Sequence, residues 1–250
     1  MKILVVGDPH GKLGKIKNLD LKKFDLVIIT GDLGKVDLGR KFFFENIKRE
    51  KQGLPKKEKS EKFKQEMQKE VDDSTLAFLR FFSKSNVPTY FLEGNVPFDK
   101  DKIKEIKNVH LVQNHFRKIQ GLRFAFLENF IEMHWFKEFN VKDEDRMKIG
   151  MEDTAKAKKI VKWFSKYKMD VLVCHQPPYG ILDKFDNPMG MKHWQGKHAG
   201  SKIILEYIKK HKPKYVLCGH IHEAKGVEKL GPTTIINAGC CGDYKIIEIL

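Results

Sequence analysis

Five short segments of this chain set glycine beside side chains that bind metals or move protons. They read GDPHG (7–11), TGDLG (30–34), EGNVP (93–97), CHQPPYG (174–180) and CGHIHE (218–223). Together they supply Asp8, His10, Asp32, Asn95, His175, His220 and His222. In extended backbone, positions i and i+2 point to the same side, so His220 and His222 aim at one small region. Mixed carboxylate, imidazole and amide donors suit first-row ions such as Mn²⁺, Fe, Co²⁺, Ni²⁺ or Zn²⁺. All-oxygen donors would point to Mg²⁺ or Ca²⁺ instead. A bound ion of this kind lowers the pKa of its water from about 15.7 to about 7, which makes hydroxide available for hydrolysis at neutral pH.

The elements that must carry these residues are legible from the apolar runs. Ile3–Val6, Leu26–Thr30, Thr89–Leu92, Val109–Val112, Leu122–Leu127, Val171–Cys174, Tyr215–Cys218, Thr234–Asn237 and Lys245–Ile249 read as strands. Several are apolar throughout, as strands covered on both faces are. Helical patterns fall near Lys12–Leu19, Lys41–Glu50, Lys57–Ser83, Asp99–Lys107, Met151–Tyr167 and Lys197–His211. This alternation predicts an α/β chain. The five segments sit just past strand ends, where open α/β sheets bind ligands, and glycine lets the backbone turn sharply there. No linker or repeat divides the chain, so one domain is expected over 1–250. Residues about 41–83 read as a helical insertion broken at Gly53-Leu54-Pro55, with Phe42–Phe44 and Phe78–Phe82 packing inward.

D-x-H, G-D, G-N, H and G-H-x-H, in that order from Asp8 to His222, resemble the calcineurin-like metallophosphoesterase family. HAGS (198–201) and GHIHEAKG (219–226) are most similar to its Icc-related and archaeal branch. The resemblance implies a four-layer α-β-β-α sandwich of two mixed sheets with a dinuclear metal centre at one edge. It implies that Asp8, His10 and His222 hold one metal, that Asn95, His175 and His220 hold the other, and that Asp32 bridges them. The implied activity is hydrolysis of phosphodiester or phosphomonoester bonds by metal-activated hydroxide on nucleotide-type substrates, with Asp32 and Asn95 at the reacting centre.

In one place the pattern breaks. Family members often carry histidine after G-N, placed to help the leaving group depart, whereas this chain reads Gly94-Asn95-Val96-Pro97. A positioned general acid contributes about 10²–10⁴ in rate, and valine cannot act as one. His198, expected to open a helix, is the candidate to reach the phosphate or leaving oxygen in its place. Trp194, Tyr179 and Phe185, in or beside the loop Ile181–Lys197, could stack on a ring or pack the loop itself.

Bulk composition narrows the partners. The formal charge of +15 over 250 residues favours anionic partners. It keeps a nuclease acting on RNA or DNA open beside small phosphate esters. The lost histidine keeps open a scaffold protein with a weak or retired centre. No apolar stretch approaches the roughly 20 residues needed to span a bilayer, so no membrane partner is expected. Four cysteines without a C-x-x-C spacing fit reduced, mostly buried thiols and a cytoplasmic location.

Overall fold

The computed structural model describes residues 1–186 and 192–249. Eleven strands among these residues form two mixed sheets, of five strands in the order β11-β1-β2-β3-β4 and six in the order β5-β6-β7-β8-β10-β9. The first comprises β1 (Lys2–Val6), β2 (Leu26–Ile29), β3 (Thr89–Phe91), β4 (Val109–Leu111) and β11 (Tyr244–Glu248). β1 to β4 run parallel and β11 pairs antiparallel with β1. The second comprises β5 (His115–Ile119), β6 (Leu122–Leu127), β7 (Val171–Cys174), β8 (Tyr215–Cys218), β9 (Gly226–Leu230) and β10 (Thr233–Asn237). Here β6, β7, β8 and β10 are parallel, with β5 and β9 antiparallel at the edges.

Strand periodicity sorts the apolar side chains into layers, because alternate residues face opposite sides of a sheet. Ile3, Val5 and Ile28 point at Phe124, Phe126, Val173 and Leu217 across the gap, forming the core between the sheets. Their neighbours Leu4, Val6, Val27 and Ile29 face outward onto Phe78, Leu79 and Phe82 of α2 (Glu61–Ser83). On the other side, Leu127, Leu172 and Val216 pack against Ala157 and Phe164 of α4 (Glu144–Phe164). Ile204 and Ile208 of α5 (Lys202–His211) complete that layer. The result is the four-layer sandwich. Among the described residues no helix is long and apolar enough to cross a membrane.

Several sequence expectations need correcting. In the stretch 41–83, α1 spans Asp37–Lys51 and α2 starts only at Glu61, where Ser60 caps it by accepting from Phe63 N–H. Phe42 packs on Phe63, but Phe43 and Phe44 are exposed. The Asp99–Lys107 helix shrinks to a single 3₁₀ turn, Lys100–Ile103. α4 begins at Glu144 rather than Met151, because Asp143 caps it and its first turns are polar. α5 begins after Ser201, whose side chain accepts from Ile204 N–H. His198 therefore does not open a helix; it lies in a β-bridge opposite Lys184. β5, β9 and the short α3 (Met133–Glu138) escaped the sequence reading. The two strands are edges with mostly exposed side chains, so they carry no apolar run. Residues 187–191 of the expected specificity loop lie outside the described residues.

Candidate metal centre

The parallel strands β1, β2, β3, β7 and β8 all finish at the same end of the sandwich, so their following loops meet there. All seven residues expected from the sequence come together. His10 Nε2 lies 3.3 Å from His222 Nε2, which is 3.4 Å from Asp8 Oδ2. Beside this trio is a second. Asn95 Oδ1 lies 2.7 Å from His175 Nε2 and 3.0 Å from His220 Nδ1, and the two ring nitrogens are 3.1 Å apart. Asp32 stands between, with Oδ1 3.7 Å from His175 Nε2 and Oδ2 4.0 Å from His10 Nε2. Each trio thus has one oxygen of the same carboxylate beside it. One atom each from Asp8, Asp32 and His175 also lies within 4.8 Å of the others.

Hydrogen bonding around the cluster leaves the wrong groups facing one another unless a cation intervenes. A carbonyl can only accept, so Nδ1 of His10 donates to Gly34 O at 3.3 Å and Nδ1 of His175 donates to Thr30 O at 3.0 Å. In a neutral ring the other nitrogen is then a bare lone pair. Those bare Nε2 atoms point at the Asp32 carboxylate and the Asn95 amide oxygen, which also only accept, and at the ring nitrogens of His222 and His220. Donors sharing one ion at bonds of about 2.0–2.2 Å lie about 3.0–3.5 Å apart, which matches most of the spacings within the trios. The donor set fits two transition-metal ions.

The carboxylates are held from behind. Asp8 accepts Thr30 Oγ1–H at 3.1 Å and His220 N–H at 2.6 Å. Asp32 accepts the N–H groups of Asn95 and Val96 at 2.7 and 2.9 Å. These bonds demand close backbone approach: a Cβ on Gly94 (φ +82°) would collide with Asp32 Oδ1, and one on Gly219 with Asp8 Oδ1. His10, Asp32 and His220 themselves adopt positive φ, a conformation uncommon outside glycine that clusters at functional sites. Thr30 and the Val96 N–H were missed in the sequence. TGD draws the eye to its aspartate, and a backbone donor has no letter of its own.

Burial sets the electrostatics. It pushes His10 down to about 4 and His220, with His175 adding to the effect, down to about 3. It pushes Asp32 up to about 6. For Asp8, burial alone would raise the carboxyl, but His175, His222 and His10 outweigh it and hold the group below its ordinary range. Burial would lower His222, yet its hydrogen bond to Asp8 and the charges of Asp8 and Asp32 raise it. The NAGCCG tract borders the cluster: Cys241 N–H donates to Asp8 O at 2.9 Å. Cys174 and Cys218 are buried thiols pushed upward.

His198 stands apart from the two trios in its contacts. Its Nδ1 lies 2.7 Å from Asp183 Oδ1, and its ring meets Tyr179 at 5.2 Å. Trp194 packs against Trp135, Phe139 and Phe185, so that aromatic group is loop core.

A family model described as calcineurin-like phosphoesterase matches residues 1–224. The chain belongs to the calcineurin-like phosphoesterase family. Among curated family relatives, it is 39% identical over 79 residues to the UPF0046 protein K07C11.7 of Caenorhabditis elegans, covering 32% of this chain and 24% of that one. It is 34% identical over 74 residues to metallophosphoesterase domain-containing protein 1 of Homo sapiens, covering 29% of this chain and 21% of that one. The match thus spans about a quarter of the length of these relatives. A solved phosphopantetheinyl hydrolase from Mycobacterium tuberculosis overlays with a TM-score of 0.52 at 13% identity. That overlay covers 96% of this chain and 90% of the other, a likeness of fold.

Proposed function

We propose that this chain is a dinuclear metal-dependent phosphoesterase, with Asp8, His10 and His222 holding one ion, Asn95, His175 and His220 the other, and Asp32 shared. The observation that carries this reading is the pair of metal-competent trios on either side of one buried carboxylate. Two such cations, when bound, supply a neutral-pH nucleophile from water and neutralise charge on a phosphoryl group.

The protein's own residues do the rest. Thr30 and the His220 N–H fix the rotamer of Asp8, and the Asn95 and Val96 N–H groups fix that of Asp32, so no donor needs to reorganise when substrate arrives. Asn95 is exposed while Asp8, Asp32 and His175 are buried, which leaves the phosphate an approach from the Asn95 side. The substrate we favour is of the nucleotide type.

Calorimetric titration of the metal-free chain with Mn²⁺ and turnover of bis(p-nitrophenyl) phosphate test the reading together. Two bound ions and metal-dependent turnover are expected. No retained ion, or binding without turnover of any aryl phosphate across Mn²⁺, Ni²⁺ and Co²⁺, would leave only a scaffold.

A second reading, a nuclease, is favoured by one feature. A recess of about 370 Å³ beside Asn95 and Val96 is lined by Lys59 and Lys64, cations able to follow a phosphate backbone. Polynucleotide binding that weakens steeply as salt rises is the expected sign; salt-insensitive binding removes this reading.

A further inference from the structure

On the other side of Asn95 is a smaller recess, about 190 Å³, that opens directly on the second trio: Asn95 and His220 form part of its wall. The remaining polar wall is Arg146, Gln176 and Asn129, and Trp135 supplies a flat apolar face. Arg146 comes from the first turn of α4, and its guanidinium lies 5.7 Å from the Trp135 ring. Trp135 is itself stacked on Phe139 at 4.9 Å, so the face is braced from behind. Among the described residues no carboxylate lies within ion-pair distance of Arg146, although this is a chain rich in such pairs. Asn129 Oδ1 is buried there without a partner among the described residues, an acceptor in need of a donor.

What the recess lacks, among the described residues that line it, is a side chain free to act as the acid. Val96, at the position where family members often carry histidine, is only 8% exposed and packs in the core beneath α2. Its backbone N–H is spent on Asp32. A guanidinium, with a pKa above about 12, neutralises charge but does not give up a proton at neutral pH. An alkoxide leaving group would therefore depart unprotonated, which is slow; a phosphate leaving group needs no proton.

Resting on the phosphoesterase reading above, we infer that this recess receives the leaving group, that Arg146 binds it, and that the preferred substrate is a phosphoanhydride of the nucleoside diphosphate type. Water adds its oxygen to the attacked phosphorus, and the P–O bond to the bridging oxygen breaks. That oxygen keeps the bonding pair and leaves as a terminal phosphate oxygen facing Arg146, while the water protons pass to solvent.

The test uses the Mn²⁺-loaded chain with three probes: ADP for an anhydride, AMP for an alkyl ester, and bis(p-nitrophenyl) phosphate for the bare chemistry of the centre. The wild type is expected to hydrolyse ADP at least about 10²-fold faster than AMP. Arg146→Ala is expected to cut ADP turnover by about 10²-fold and to shrink the ADP-to-AMP ratio, with Mn²⁺ affinity unchanged by calorimetry. Arg146→Lys should fall between, since it keeps the charge and loses the fork. Comparable rates on ADP and AMP, or an Arg146→Ala variant with the wild-type ratio, would overturn the inference while aryl turnover left the phosphoesterase reading standing. Loss of aryl turnover and of Mn²⁺ binding in the wild type would overturn both.

Discussion

His10 and His222 stand 212 residues apart in sequence and 3.3 Å apart between their Nε2 atoms. His10 Nδ1 faces the Gly34 carbonyl, so its Nε2 has no proton to share. The spacing to His222 Nε2 is one that two donors to a shared cation adopt, and a similar spacing of 3.1 Å recurs between His175 and His220.

Asp32 joins the two gaps. Asp32→Ala should reduce bound Mn²⁺ from two ions to one or fewer and lower turnover of bis(p-nitrophenyl) phosphate by about 10³-fold or more. That corresponds to several kcal/mol of charge stabilisation. Elemental analysis alongside initial rates checks this; two ions retained with near-normal rate would refute the shared role.

The Thr30 side chain acts on the centre through Asp8, while its backbone carbonyl, which a substitution leaves in place, accepts from His175. Thr30→Val removes the hydroxyl that donates to Oδ1 and nearly preserves shape, so the fold should persist. Metal affinity should fall about 10–100-fold, the usual effect of losing a hydrogen bond behind a ligand. Competition with a chelator measures it, and circular dichroism checks that the fold is kept.

The metal-free chain should lose stability as pH falls from about 6.5 to about 5. His10 and His220 have native pKa values of about 4 and about 3, below the ordinary 6.5. Over that interval the unfolded chain takes up their protons and the native chain does not. Asp32, raised to about 6, works the other way, because the native chain binds its proton first. His222, raised above 6.5, also binds first in the native chain, but below 6.5 the unfolded chain takes up that proton too and the difference closes. Two groups outweigh one, so the unfolded state binds more protons and ΔG of unfolding falls with pH. Thermal melts in chelator at stepped pH should show a falling Tm. A flat or rising Tm would mean that these imidazoles are not buried and neutral.

Asp72 anchors the segment after Asn95. Buried on α2, it accepts from Lys102 Nζ at 2.7 Å, Gln68 Nε2 at 2.8 Å and Asp99 N–H at 2.9 Å. Burial alone would raise its pKa, but these three donors outweigh that and hold it below 3.8. Its contribution is therefore present above about pH 3.8 and lost as pH falls through the lower native value. Asp72→Ala should cost about 0.5–1.5 kcal/mol through loss of these hydrogen bonds, whose donors are exposed and return to water, and should weaken binding of the ion assigned to Asn95. Urea unfolding and Mn²⁺ titration read the two effects separately.

The sequence alone determined the candidate ligand types, the strands that carry them and their order along the chain. Apolar runs ending in glycine beside Asp, Asn or His are local patterns, and seven metal-competent side chains could be named from them. Local pattern also failed locally: Phe43 and Phe44 look like core and face solvent, because nothing in a phenylalanine run says which way its helix is turned. Only the tertiary structure decided that His10 faces His222 while Asn95 faces His175 and His220. It alone revealed that Thr30 and two backbone N–H groups hold the carboxylates, and that Arg146 and Trp135 border the same centre. Those relationships are distances between segments as much as 212 residues apart. They follow from how two sheets stack and which loops then share an edge, a property of the packed whole that no stretch of chain encodes by itself.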